Sequence, residues 1–233
     1  MISKIRSLIR KLHRTFNKPA WHNIRTIQPI SRVFGLDRGT PIDRYYIEQF
    51  LRRHSNLIQG RVLEISENTY TRKFGTIVTS SEILHYDRSN SRATIIGDLT
   101  KPASLPISCI DCFICTQTLN FIFNVKNAVQ GIYQLLSPNG VALITVAGIS
   151  QISRYDMDRW GDYWRFTTRS ASQLFTEVFG EQQVKVESRG NVLSSVAFLE
   201  GIVSEELTKE ELEYQDEDYQ MLVTVVATKK DSQ

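Results

Sequence analysis

The sequence has no run of about 18 apolar residues, so it contains no segment able to cross a bilayer as a helix. The apolar core of a signal peptide is missing too, because Lys4, Arg6, Arg10 and Lys11 interrupt the N-terminus. A cytoplasmic setting is the default expectation. Cysteine is scarce, with three in 233 residues at Cys109, Cys112 and Cys115. That spacing resembles an iron–sulfur motif, but no fourth cysteine or paired histidine lies nearby. On a strand, side chains alternate, so Cys112 would face away from its two companions. The three read as small core residues of a reducing compartment, and no metal is expected. His22, His54 and His85 are isolated, and His13 sits among basic residues. There is no internal repeat and no low-complexity tract.

Glycine is missing where a nucleotide site would want it. The apolar run Arg61-Val62-Leu63-Glu64-Ile65 leads into Ser66, Glu67 and Asn68, and the next glycine is Gly75. A turn without G-x-G-x-x-G is a poor receiver for the pyrophosphate of NAD. Asn68 tolerates positive φ better than most residues and is the expected substitute for glycine there.

What is present is ordinary for a soluble globular chain: 41% hydrophobic, 23% charged, and long enough for one α/β domain with extensions. The net charge of +3 conceals an asymmetry. Eight basic residues and no acid lie between Met1 and Leu36, whereas eight acids face a single lysine between Glu205 and Asp218. Residues 2–16 place Ile2, Ile5, Leu8, Ile9, Leu12 and Phe16 at helical spacing among the cations. Such a helix can lie on an anionic membrane surface, or pack against its own domain or a partner. Residues 1–38 are read as this basic helix and a connector. The basic residues are not interleaved with aromatics, so nucleic acid is not expected as a partner.

From residue 39 the pattern alternates. Thr40-Pro41 suits a helix N-terminus, with Asp43 in its first turn and Ile42, Tyr46, Ile47, Phe50, Leu51 and His54 on one face. Strands are expected at Val62–Ser66, Glu82–Asp87, Ala93–Gly97, Cys109–Thr116, Val141–Ala147, Val184–Ser188 and Met221–Thr228. Helices are expected from about Asn124 to Leu136, ended by the turn Ser137-Pro138-Asn139-Gly140, and from Thr168 to Phe179, closed by Gly180. An acidic helical insert is expected near residues 191–218. Only a short helix fits between Asn68 and Ser81. Alternation of this kind points to a doubly wound α/β sheet with helices on both faces. Glu64, Asp87 and Asp98 would then sit at successive strand ends, on the edge where such sheets bind ligands.

Val62-Leu-Glu64-Ile-Ser66, Tyr86-Asp87, Gly97-Asp98-Leu99, Leu105-Pro106 with Ile110-Asp111, Thr116-Gln117 and Leu135-Leu-Ser-Pro-Asn-Gly140 stand in a definite order over residues 40–230. In that order and spacing the sequence resembles a class I S-adenosylmethionine-dependent methyltransferase. The segment Asp158-Arg-Trp-Gly-Asp-Tyr-Trp-Arg-Phe-Thr167 resembles one found in bacterial members associated with cell-surface polysaccharide. The resemblance implies a mostly parallel seven-stranded sheet, with the last strand antiparallel, and S-adenosylmethionine as cofactor. It implies that Glu64, with Ser66 and Asn68 in the turn after it, holds the amino-acid end. It places Asp87 on the ribose, Asp98 on the adenine amine, Leu99 on the adenine face, and Thr116 and Gln117 beside the methionine portion. Methyl transfer to a small molecule or glycan, at oxygen, follows as the expected activity. A methyltransferase-like binding or scaffold module without catalysis is the alternative. Proton removal needs a base near the methyl group, for which Asp43, Asp158 and Tyr163 are the candidates. The aromatic segment containing Trp160, Tyr163, Trp164 and Phe166 is either a lid on the sheet edge or a platform for the acceptor, with Tyr163 and Arg165 directed at the methyl group.

Overall fold

The computed structural model describes residues 25–231. The basic segment 2–16 lies outside the described residues. Seven strands form one sheet in the order β3-β2-β1-β4-β5-β7-β6. They are β1 (Gly60–Ile65), β2 (Val78–His85), β3 (Ile95–Ile96), β4 (Ile110–Thr116), β5 (Leu136–Ala147), β6 (Val184–Arg189) and β7 (Leu222–Thr228). Strands β1 to β5 pair in parallel, while β7 runs antiparallel to both β5 and β6. The chain winds outward from β1 to β3, then returns to lay β4 against the other side of β1. That reversal opens a crevice at the carboxyl ends of β1 and β4.

Helices cover both faces: α1 (Ile42–Arg53), α2 (Thr69–Phe74), α3 (Val125–Leu135), α4 (Arg154–Met157), α5 (Thr168–Phe179), α6 (Val192–Glu200) and α7 (Lys209–Glu213). Their starts follow from short-range chemistry. Asn124 accepts from the N–H of Asn127, and Thr167 and Ser170 cap each other reciprocally, as do Asn191 and Ser194. Gly180, at φ +91, ends α5 where a side chain would be strained. One face of the sheet packs Leu63, Phe113, Cys115 and Ile144 under α3 and α5. The other packs Val62, Cys112, Ile114 and Leu143 under α1 and α6. Alternation along β4 thus separates Cys112 from Cys115. Burial pushes both thiols up to about 12, leaving them protonated and inert. Among the described residues no cluster of His, Cys, Asp and Glu could hold a metal ion, and no helix is long and apolar enough to cross a membrane.

Several boundaries differ from the sequence expectations. The first helix begins at Ile42, and Thr40 does not cap it. Pro41 instead bridges to Val203, while Glu205 accepts the N–H of Thr40. A long-range pairing has displaced a local cap. Ser137 to Gly140 do not form a free turn between the helix and the following strand. They form a bulge inside β5, because the pairing with β4 jumps from Ile110↔Leu136 to Cys112↔Val141. Strand β2 starts earlier, at Val78, and ends at His85, so Asp87 lies just beyond it. The connector is anchored: Ser31 N–H donates to Glu200 O, Phe34 stacks on Phe198, and Arg38 pairs with Glu206.

Candidate functional site

At the crevice the ends of β1 and β4 are both turned sharply. Ser66 has φ +63 and Gln117 has φ +49, a left-handed conformation costly for residues with a Cβ. The N–H of Glu67 reaches back to Ile65 O at 2.7 Å, so Ser66 is the centre of a tight three-residue turn. Positive φ therefore falls on Ser66 and not on Asn68, whose φ is −127 and whose amide donates to Ser81 Oγ. Ser66→Gly is expected to raise stability by about 0.5–1 kcal/mol, as relief of strain exceeds the entropy lost in the unfolded chain. Thermal unfolding checks it, and a loss of stability would remove the strain argument.

Between these turns lies a cleft of about 570 Å³. Ser66, Asp98, Leu99, Thr116 and Gln117 line it, as the sequence reading expected. Ile65, Leu84, Leu99 and Ile122 supply apolar surface. Tyr86 and Trp160, both in its lining, meet edge to face at 5.0 Å. Trp160 comes from the long segment between β5 and α5, so that segment contributes to the cleft wall. Among the described residues the charged groups in the lining are Glu67, Asp98 and Asp156 against Arg92. This surplus of carboxylates suits a ligand with cationic and hydroxyl groups and opposes a phosphate-rich one.

Asp87 and Asp98 repeat one local design. Each Oδ1 accepts from both the N–H and the hydroxyl two residues on, Ser89 for Asp87 and Thr100 for Asp98. The Ser89 donors hold Asp87 down at about 2. For Asp98, partial burial pushes upward, but the Thr100 donors and Lys101 outweigh it and the carboxyl sits below its usual range. Both are therefore ionised at neutral pH with fixed orientations. Asp98 lines the cleft, whereas Asp87 does not; it follows Tyr86, which does, and its Oδ1 lies 3.1 Å from Nδ1 of His85, another lining residue. Glu64 is buried and does not line the cleft. It accepts from the N–H groups of Tyr70 and Thr71, holding the start of α2 against β1, and burial raises its pKa.

A second cavity of about 260 Å³ adjoins the first, the two sharing Gln117, Phe121 and Asp156. Asp43 and Arg165 line it together with Asn120, Asp162, Phe34 and Phe198. Burial raises Asp43 to about 6 despite Arg44 beside it. Arg165 donates to both oxygens of Asp162 and to the carbonyls of Ser150, Gln151 and Trp164, which uses all five of its N–H donors. Asn120 ties the region together: its Oδ1 accepts from Ala147 N–H, its amide donates to Gln117 Oε1, and its carbonyl accepts from the N–H of Tyr163. Tyr163 lines neither cavity. Its ring packs on Phe123 and its hydroxyl donates to Trp160 O. Asp158 is exposed and pairs with Arg154.

Sequence reasoning missed Asp156, Asp162 and Asn120. The spacings Ser153-x-x-Asp156 and Asp162-x-x-Arg165 were the available signals, since the first pair forms a helix cap and the second a salt bridge. Nothing local marks Asn120.

No protein-family model matches the sequence, and no curated protein matches it. Solved structures do match its fold. A SAM-dependent methyltransferase from Archaeoglobus fulgidus shares 14% identity at a TM-score of 0.51, covering 80% of this chain and 94% of its own. An S-adenosylmethionine-dependent methyltransferase from Mesorhizobium loti shares 16% at 0.50, covering 83% and 99%. The [4+2]-cyclase SpnF shares 14% at 0.50, covering 84% and 85%. The chain thus has the class I methyltransferase fold, and that fold also carries chemistry of another name.

Proposed function

We propose that the protein is an S-adenosylmethionine-dependent methyltransferase acting at an oxygen of a small molecule or glycan. The observation that carries the reading is the cleft at the β1/β4 crevice, with ionised carboxylates at the strand ends and strained turns at Ser66 and Gln117. S-adenosylmethionine carries a sulfonium, an ammonium, a carboxylate and two ribose hydroxyls, a net positive charge that the lining complements. Its volume range is that of ordinary ligand pockets. Asp98 and Asp87 would hold the nucleoside end, Leu99 would cover the adenine face, and Ser66, Thr116 and Gln117 would border the methionine end. Glu64 and Asn68 would act through the turn, fixing α2 and β2 around it. The bound cofactor supplies an already activated methyl group, so the protein's contribution is alignment and exclusion of water. Trp160 and Tyr86 would serve the second purpose by closing the cleft.

Calorimetric titration with S-adenosylmethionine tests this directly. Binding is expected, and Asp87→Ala and Asp98→Ala should each weaken it roughly tenfold, as for loss of one charge-assisted hydrogen bond. Absence of binding by the intact protein would leave the scaffold alternative. Unchanged affinity in a folded Asp87→Ala protein would remove the ribose assignment.

A further inference from the structure

The smaller cavity has a composition that narrows the acceptor, given the methyltransferase reading on which this inference rests. Its apolar lining includes Phe34, Phe121 and Phe198, and it is continuous with the cofactor cleft through Gln117, Phe121 and Asp156. Among the described residues its one cation is Arg165, which has every donor committed to Asp162 and to three carbonyls. Asp156 in turn accepts from the hydroxyl of Ser153. Asp43 differs. Among the described residues its carboxylate accepts only from backbone N–H groups of its own turn, with Arg44 at 2.7 Å. Among the described residues no cation of the lining is left over for an acidic acceptor, and the carboxylates of Asp43 and Asp156 oppose one.

We infer that this cavity is the acceptor site, that it takes a single-ring uncharged alcohol, and that Asp43 is the base that receives the hydroxyl proton. A hydroxyl that donates to Asp43 keeps a lone pair for the methyl carbon, so one hydrogen bond both orients and activates it. The acceptor oxygen forms the new bond to carbon, and the carbon–sulfur bond breaks with its electron pair left on sulfur. The hydroxyl proton passes to Asp43. Phenols and neutral sugar rings share this chemistry. A cavity of about 260 Å³ admits one ring, not a folded chain segment.

Among the described residues the charged and titratable groups around Asp43 are Arg44 on its own helix, Tyr70 from α2, and Asp156, Asp162 and Arg165 across the cavity. Burial places Asp43 near 6, the range of a useful base at neutral pH. The test uses the full chain with S-adenosylmethionine and a panel of phenols, methyl glycosides and their carboxylated analogues, read as S-adenosylhomocysteine formed. Neutral members should be methylated and carboxylated ones at least tenfold less. The rate should show an acid limb near pH 6. Asp43→Asn should lose about a hundredfold or more in kcat together with that limb, while binding S-adenosylmethionine with unchanged affinity.

A readout without turnover is the carboxyl carbon resonance of Asp43, followed by NMR against pH in the full chain, with Asp43→Asn for assignment. It should titrate near pH 6. Preference for carboxylated acceptors, methylation of none of the neutral alcohols, methylation confined to amines, or a full-rate Asp43→Asn protein would each overturn the inference. Failure of the intact protein to bind S-adenosylmethionine would instead overturn the reading beneath it. Which arm of the panel responds, phenols or glycosides, separates the two sources of the same chemistry.

Discussion

Glu64→Ala is expected to cost about 2–4 kcal/mol of stability, more than loss of any surface carboxylate. Glu64 is buried at the end of β1, and its two oxygens accept the N–H groups of Tyr70 and Thr71. Truncation leaves both donors without a partner, and each orphaned buried donor costs roughly 1–3 kcal/mol. The effect should spread to the cleft, because α2 follows directly on the turn at Ser66 and Glu67. Glu64→Gln retains one acceptor and should recover part of the loss. Denaturant unfolding of the two variants measures this. Equal stability of Glu64→Ala and the parent would mean that α2 holds its place without the carboxylate, and would return Glu64 to the pool of free ligand groups.

Asp43→Asn is expected to act in the opposite direction on stability. The folded carboxyl titrates at about 6, above its ordinary value of 3.8, because burial disfavours the charge. The folded state therefore binds this proton more tightly than the unfolded state does. Below about pH 4 the group is protonated in both states and imposes no penalty. Between about pH 4 and 6 the penalty grows as pH rises, and above pH 6 it is felt in full. A shift of about two pH units corresponds to an upper limit of about 3 kcal/mol. The amide removes the penalty, so the variant should match the parent near pH 4 and exceed it at pH 7. Unfolding followed at several pH values distinguishes this from a merely structural aspartate, for which the two stability curves would run parallel. A gain in stability joined to a loss of activity is the pattern of a group kept in an unfavourable place for its chemistry.

Much of the fold was legible in the sequence because its signals are local. The spans Val141–Ala147 and Thr168–Phe179 carry their own periodicity and punctuation, and the structure places elements there. The alternation of Cys109, Cys112 and Cys115 between faces followed from strand geometry alone. Acids at successive strand ends were readable as well, since chain order together with the right-handed rule leaves few sheets to consider. Boundaries set by distant partners were not readable. The bridge from Pro41 to Val203 delayed the first helix, and pairing with β4 drew Ser137 to Gly140 into β5.

The same division runs through the candidate site. Sequence alone determined which residue types occupy the β1, β2, β3 and β4 ends, because each is the last position of a recognisable run. Tertiary structure alone decided what those residues are free to do. It turned Glu64 inward to backbone donors, committed Arg165 to Asp162, and put positive φ on Ser66. It also brought Asp43, at the start of the first helix, into one cavity with Asp156 and Asp162 from the segment after β5. Backbone preference depends on a few neighbouring residues, so a linear reading can find it. Burial, charge and the pairing of polar atoms depend on groups that meet only when the chain closes, and those are the quantities that distinguish a working carboxylate from a structural one.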